Sequence, residues 1–275
     1  MVTLCERSSL IILLACILAF CTALSGQTPR LSQAALGSQT AKNGFKNETE
    51  IQNKFNNWKT DVDARNWLTA MNYKPQEIES VIAAKPHGEK ADVEVRIKTK
   101  KGETVEGISI KLVSSANGFN QIDKRWLLHY VTMWKIPADV ETAMKYFVGE
   151  TPPSKTARDP QRMYLNELSA EHQRAVIDFF TANRSRIVHD LFQGDGPHAA
   201  GWIMVALKAT ETTRWTLRRV EDVMRFYGDG KVEITRYGNL KIGRITVQRK
   251  GGDGGRNTAK MLQFKINPVQ LFDAK

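Results

Sequence analysis

The residues best suited to chemistry stand on two short segments that alternate in polarity. Val93, Val95 and Ile97 alternate with Asp92, Glu94, Arg96 and Lys98. Lys100-Lys101-Gly102 is a turn signal, and Ile108, Ile110 and Leu112 then alternate with Ser109 and Lys111. A period of two belongs to a strand, so the pattern predicts an antiparallel pair joined by a tight turn. Successive strand side chains point to opposite faces, which places Asp92 on the polar face of one strand and Ser109 and Lys111 on that of the next. An acid and a lysine converging there suit metal-assisted phosphodiester hydrolysis. The carboxylate holds a hard cation such as Mg2+, the Ile110 carbonyl completes its shell, and the lysine positions or deprotonates the attacking water. Solvated strand faces carry Asp and Lys as a matter of course, so the weight of this pattern depends on its neighbours.

Downstream, Gly118-Phe119-Asn120-Gln121-Ile122-Asp123-Lys124 reads as the opening of a helix with Ile122, Trp126 and Tyr130 on one side. Gln121 and Lys124 are then one turn apart and carry donors suited to base edges, or form a plain helix surface. Phe119 is either a wedge between base steps or a core residue. Arg249, Lys250 and Arg256 bracket a glycine-rich segment whose backbone N–H groups and cations suit phosphates, or make a hairpin loop that happens to be basic. Gln263 and Lys265 share one face of a further strand, with Leu262 and Phe264 turned to a core. His87, His129, His172, His189 and His198 show no spacing that implies a metal or a catalytic group.

The elements that must hold these residues alternate between α and β. Ile51, Phe55 and Trp58 mark an amphipathic helix over residues 42–58, and shorter helical patterns cover 63–71 and 75–84. A helix is expected over 138–147, a long one over 168–192 and another over 216–227. Strands are expected at 202–207, 232–235, 242–248 and 261–266. The resulting fold class is α/β, a mixed sheet flanked by helices.

The chain has 275 residues, with 40 Lys and Arg against 29 Asp and Glu, a net charge of +11. That excess suits a polyanion such as nucleic acid. The apolar fraction, 41%, supports a buried core and is too low for a membrane protein. Cys5, Cys16 and Cys21 all precede residue 22, so the remainder has neither a disulfide framework nor a cysteine zinc site. Residues 1–30 differ from the rest: 10–24 is an apolar run of signal-peptide length, broken only by Thr22. They read either as an export signal or as translation from a start chosen too far upstream, with Leu31 at the true start.

Residues 31–275 resemble the HinPI-type type II restriction endonucleases, GCGC-specific relatives of MspI within the PD-(D/E)xK superfamily. The resemblance is carried by Gly37-Ser38, Thr40-Ala41-Lys42, Gly44-Phe45-Lys46-Asn47-Glu48, Lys111-Leu112-Val113-Ser114 and Gly118 to Lys124 with Trp126. Gly149-Glu150, Pro152-Pro153, Gln248-Arg249-Lys250-Gly251-Gly252-Asp253 and Met261-Leu262-Gln263-Phe264-Lys265 continue it in the same order. It implies one endonuclease domain over 31–275, double-stranded DNA as partner, Mg2+ as cofactor, and cleavage after the first G of GCGC. It also implies a cognate GCGC cytosine methyltransferase encoded nearby. The family pattern, an Asp followed on the next strand by QxK, maps onto Asp92, Ser109 and Lys111, with Ser109 in place of the Gln. Serine holds a metal only through water, which leaves open the number of ions and the rate. Members of the family begin a few residues before the segment matching Leu36-Gly37-Ser38, which implies a start near Leu31, and a target inside the cell implies a cytoplasmic protein. A monomer nicking each strand in turn and a weak homodimer both fit a four-base-pair palindrome. A repair nuclease on the same scaffold, a DNA binder weakened at Ser109 and an exported nuclease are the alternatives.

Overall fold

The computed structural model describes residues 33–86, 88–252 and 256–274. The apolar run, the three cysteines and Leu31 lie outside them. The chain opens with helix α1 (Gln33–Asn56), longer at its start than its apolar stripe indicates, and α2 (Val62–Ala70) follows. Ile51 and Phe55 of α1 are fully buried, one turn apart. Asp61 caps α2, its carboxylate accepting from the Ala64 N–H at 2.9 Å.

Five strands then build a mixed sheet: β1 (Ile78–Ala84), β2 (Val93–Thr99), β3 (Gly102–Val113), β5 (Trp202–Leu207) and β6 (Arg214–Arg219), in the spatial order β1-β2-β3-β5-β6. Only β3 and β5 run parallel; the other neighbours are antiparallel. Between β3 and β5 the chain forms β4 (Asn120–Arg125), α3 (Leu127–Trp134), α4 (Ala138–Val148), α5 (Ala170–Ala182) and α6 (Arg184–Phe192). After β6 come α7 (Val220–Gly228), β7 (Val232–Ile234), β8 (Leu240–Ile242), β9 (Ile245–Arg249) and β10 (Leu262–Ile266). The second sheet, β4-β10-β9-β8-β7, is antiparallel throughout.

Strand β5 explains how two cores share one sheet. All six of its residues are buried. Trp202 and Met204 join Ile51, Phe55, Ile108 and Ile110 under α1 and α2. Ile203, Val205 and Leu207 join Tyr130, Trp134, Phe180 and Phe264 between the two sheets. A strand covered on both faces reads as an unbroken apolar run, and each such buried side chain stabilises its layer by about 1.5–3 kcal/mol.

Several elements differ from the sequence reading, each for a physical reason. Residues 75–84 form one 3-10 turn (Pro75–Glu77) and then β1, not a helix. A register shift between Ile78 and Ser80 puts Ile78 and Val81 on the same buried side, a spacing of three that imitates a helix. The expected helix from residue 118 is β4 followed by α3. The long helix over 168–192 breaks into α5 and α6 at Asn183, whose Nδ2 bonds back to the Phe179 carbonyl. The helix at 216–227 begins as the strand β6, because residues 214–219 pair along β5.

Candidate active site

Val93 of β2 faces Ile108 of β3, and β2 goes no further. Beyond that pair the edge of β3 is open, and Asp92 sits against it. The Asp92 N–H donates to the Ile108 carbonyl at 2.9 Å, and Asp92 Oδ2 accepts from the Ile110 N–H at 2.6 Å. The Ser109 hydroxyl donates to Oδ2 at 3.3 Å and accepts from Lys111 Nζ at 3.0 Å. Lys111 Nζ lies 4.0 Å from the same carboxylate oxygen. Ser109 is only 6% exposed and bridges acid and base, in the position of the expected Gln. Asp92, Ser109, Ile110 and Lys111 are thus brought together, as the alternation predicts.

A hard cation fits this donor set. Asp92 is 29% exposed at the side chain and lines a cavity with Ser109 and Lys111. Among the described residues its Oδ1 has no hydrogen-bond partner, so that oxygen is available for a metal. In an extended strand the N–H and C=O of one residue leave by the same edge. The Ile110 carbonyl therefore shares the edge at which its N–H meets Asp92. The clustered His189, Asp190 and Asp195 could also hold an ion, and Asp190 and Asp195 line the same cavity. Their proximity was not legible as a spacing.

The segment singled out beside the site is a strand with an extra residue. Along β10, Phe264 faces Asp123 and the adjacent Lys265 faces Gln121, which leaves Ile122 unmatched. This bulge turns Gln121 and Lys124, three apart, to the same side. They face Lys265 and Gln263 respectively, and the Gln263 amide donates to Gln121 Oε1 at 2.8 Å. Gln121, Lys124, Gln263 and Lys265 therefore share one face, and burial draws the Lys265 ammonium below the usual lysine value. Leu262, Phe264 and Ile266 fill the core on the other. Asn120 Nδ2 donates to the Leu112 carbonyl at 2.9 Å and ties β4 to the end of β3. In the turn between them a Cβ on Gly118 would meet Val113 Cγ1 at 2.7 Å. Phe119, next in the chain, is 58% exposed, so the core role is excluded.

Arg249 departs from its expected role as an outward phosphate contact. It lies opposite Leu262, on the core side of the sheet, and its side chain is 9% exposed. Nε donates to the Ala259 carbonyl at 3.1 Å and Nη2 to Gln161 Oε1 at 3.2 Å. Burial and the neighbouring Arg162 lower its pKa from the ordinary arginine value. The guanidinium braces the base of the glycine-rich segment, whose residues 253–255 lie outside those described. Lys250 is half-buried and Arg256 exposed at the two ends.

Two residues that the sequence reading passed over connect the Asp92 cluster with the face of Gln121 and Lys124. Lys90 Nζ donates to Asp123 Oδ2 at 2.7 Å and to the Leu191 carbonyl at 3.0 Å. Asp123 also accepts from the Tyr130 hydroxyl at 2.6 Å and from Arg125 Nε at 3.1 Å, both at Oδ1. Burial opposes its charge, but Lys90, Tyr130 and Arg125 outweigh burial and hold the carboxyl below the usual range. Burial draws the Lys90 ammonium down, with Asp123 opposing. Burial and the Asp123 carboxylate push the Tyr130 hydroxyl up, so it remains a donor.

An acid-and-lysine pair on an open strand edge of a mixed sheet, beside a polar strand face, is the arrangement of the restriction-endonuclease fold. The structure of restriction endonuclease MspI in complex with its cognate DNA superposes with a TM-score of 0.55 at 14% identity, over 79% of this chain and 87% of that one. A model of the R.HinP1I restriction endonuclease family matches residues 71–272, and the chain belongs to that family. No curated protein matches it. Among the described residues no helix is long and apolar enough to cross a membrane.

Proposed function

We propose that this chain is a Mg2+-dependent type II restriction endonuclease that hydrolyses double-stranded DNA at GCGC, after the first G. The observation that carries the reading is the convergence of Asp92, Ser109 and Lys111 on the open edge of β3, beside the face shared by Gln121, Lys124, Gln263 and Lys265.

Asp92 and the Ile110 carbonyl would hold the cation, which when bound neutralises charge developing on the scissile phosphate. The chain's own residues do the rest. The Ile110 N–H fixes Oδ2 of Asp92 and leaves Oδ1 to the metal. Lys111 Nζ is steered by Ser109 Oγ, and its remaining N–H groups orient the attacking water and the phosphate. Each G·C pair offers O6 and N7 acceptors on G and an N4 donor on C in the major groove. Lys124 and Lys265 suit the former, and the Gln121 and Gln263 amides suit either. Lys250 and Arg256 hold phosphates, and Phe119 wedges between base steps. MspI is bound to its cognate DNA in the matching structure, which supports duplex DNA as the partner.

Residues 31–275 act as one endonuclease domain in the cytoplasm, beside a GCGC cytosine methyltransferase that protects the host. Incubation with unmethylated plasmid in Mg2+ tests the proposal. Discrete fragments ending at GCGC are expected, and plasmid premethylated at GCGC or held in EDTA should stay intact. Random degradation would instead indicate a repair or structure-specific nuclease. Ser109 favours one second reading, a weakened enzyme that binds GCGC without cutting, which the same assay with a binding measurement separates.

A further inference from the structure

The buried ion pair between Lys90 and Asp123 has a peculiar position. Lys90 is two residues before Asp92, and the backbone between them is clamped: the Ala91 N–H bonds the His198 carbonyl and the Asp92 N–H bonds the Ile108 carbonyl. The Lys90 side chain leaves this run and enters the other sheet. Its stem passes over Gly194, where a Cβ would meet Lys90 Cγ at 2.5 Å. Its ammonium ends on Asp123, whose side chain points away from the face of Gln121 and Lys124 and, with Lys90, lines the cavity of Asp92, Ser109 and Lys111. The two side chains are 19% and 8% exposed.

Joining two elements in this way gains little stability. Desolvation of both charges offsets most of their attraction, and apolar pairs of similar volume commonly do as well or better. What a directional pair provides is fixed relative position. Here one end fixes the backbone that carries Asp92, and the other fixes the bulge that turns Gln121 and Lys124 to the same side.

We propose that Lys90 is a positioning residue that couples the base-facing strand to the catalytic carboxylate, so that correct base contacts at Gln121 and Lys124 set the place of Asp92 through Asp123. This rests on the endonuclease reading above. Selectivity is then exerted at the cleavage step as well as in binding. Non-cognate contacts leave β4 displaced, the pair transmits that displacement, and Asp92 is misplaced for catalysis.

The test compares wild type, Lys90→Arg, Lys90→Met and the double variant Lys90→Met/Asp123→Asn. The cognate duplex is whichever sequence wild type selects from a random pool, so a target other than GCGC would remove the specificity reading without affecting this test. Three quantities are measured: metal-free affinity for cognate and one-base-variant duplexes, single-turnover cleavage of each in Mg2+, and exchange of the Ile110 amide with and without duplex. In wild type, cognate duplex should slow Ile110 exchange more than the variant duplex does, and this readout survives even if no cleavage is found. Lys90→Met should lose at least tenfold of the cognate-over-variant ratio in cleavage, keep the ratio in affinity within about twofold, and lose the selective slowing. The double variant should behave likewise while melting near wild type, which covers the case where Lys90→Met alone does not fold. Lys90→Arg should restore most of the cleavage ratio. Unchanged cleavage ratios and exchange in the double variant would overturn the proposal. So would losses of affinity ratio and cleavage ratio in equal measure, which a purely structural pair would give.

Discussion

Replacing Ser109 by Ala removes one oxygen from the centre of the site and nothing from its walls. That oxygen donates to Asp92 at 3.3 Å, a long contact, and accepts from Lys111 at 3.0 Å, a charge-assisted one. Asp92 keeps the Ile110 N–H at 2.6 Å, so the carboxylate should stay in place. Lys111 loses the acceptor that steers it and, among the described residues, retains only the carboxylate at 4.0 Å. A hydrogen bond to a charged group contributes about 1.5–3 kcal/mol. If that steering is expressed in the transition state, the cleavage rate should fall by roughly ten- to a hundredfold, at about 1.4 kcal/mol per factor of ten. Metal-free DNA affinity should hold within about twofold, since Ser109 lies on neither the base-facing strand nor the basic loop. The assay is single-turnover cleavage of a GCGC duplex in Mg2+ at saturating enzyme, with Asp92→Ala and Lys111→Ala as controls that should abolish cutting. Wild-type rates in Ser109→Ala would refute the bridging role. A loss as complete as that of Asp92→Ala would show that the hydroxyl acts at the metal itself. Ser109→Gln, which brings an amide oxygen toward the same edge, should cut at least as fast as wild type.

Gln121→Ala, Lys124→Ala and Lys265→Ala should each lose about 1–3 kcal/mol of discrimination between GCGC and a one-base variant, read from paired binding titrations. Arg256→Ala should weaken binding to both sequences alike and flatten its dependence on salt, checked at two ionic strengths. Arg249→Ala should act on the fold, lowering the unfolding free energy by about 1–3 kcal/mol through loss of its bonds to Ala259 and Gln161, as measured by denaturant titration. Asp123 is held below the usual carboxylate range, so its contribution to stability is present above the unfolded value of about 3.9 and is lost as pH falls through the lower folded one. Stability of Asp123→Asn should therefore change less steeply than wild type in that acid window, in thermal melts at stepped pH.

The edge on which Asp92, Ser109 and Lys111 meet was legible from the amino acids because alternation in β2 and β3 is regular and the turn between them is tight. In such a strand, sequence parity alone decides which face a side chain takes, and so places Asp92 with Ser109 and Lys111. Burial of β5 was legible for a similar reason, as its apolar run has no polar interruption. Parity fails where a strand carries an extra residue. Ile78 with Val81, and Gln121 with Lys124, are three apart and look helical, yet each pair lies on one side of a strand because of a local irregularity. Whether a strand bulges is decided by the partner it pairs with, and the partner of β4 is β10, about 140 residues away. Distance in the chain likewise hid the Lys90–Asp123 pair and the inward course of Arg249, which follows from its place opposite Leu262. The sequence by itself determined which groups are available for chemistry and the edge on which the acid and lysine meet. The pairing of strands far apart in the chain decided which face presents Gln121, Lys124, Gln263 and Lys265, and which charged residue is spent inside the protein.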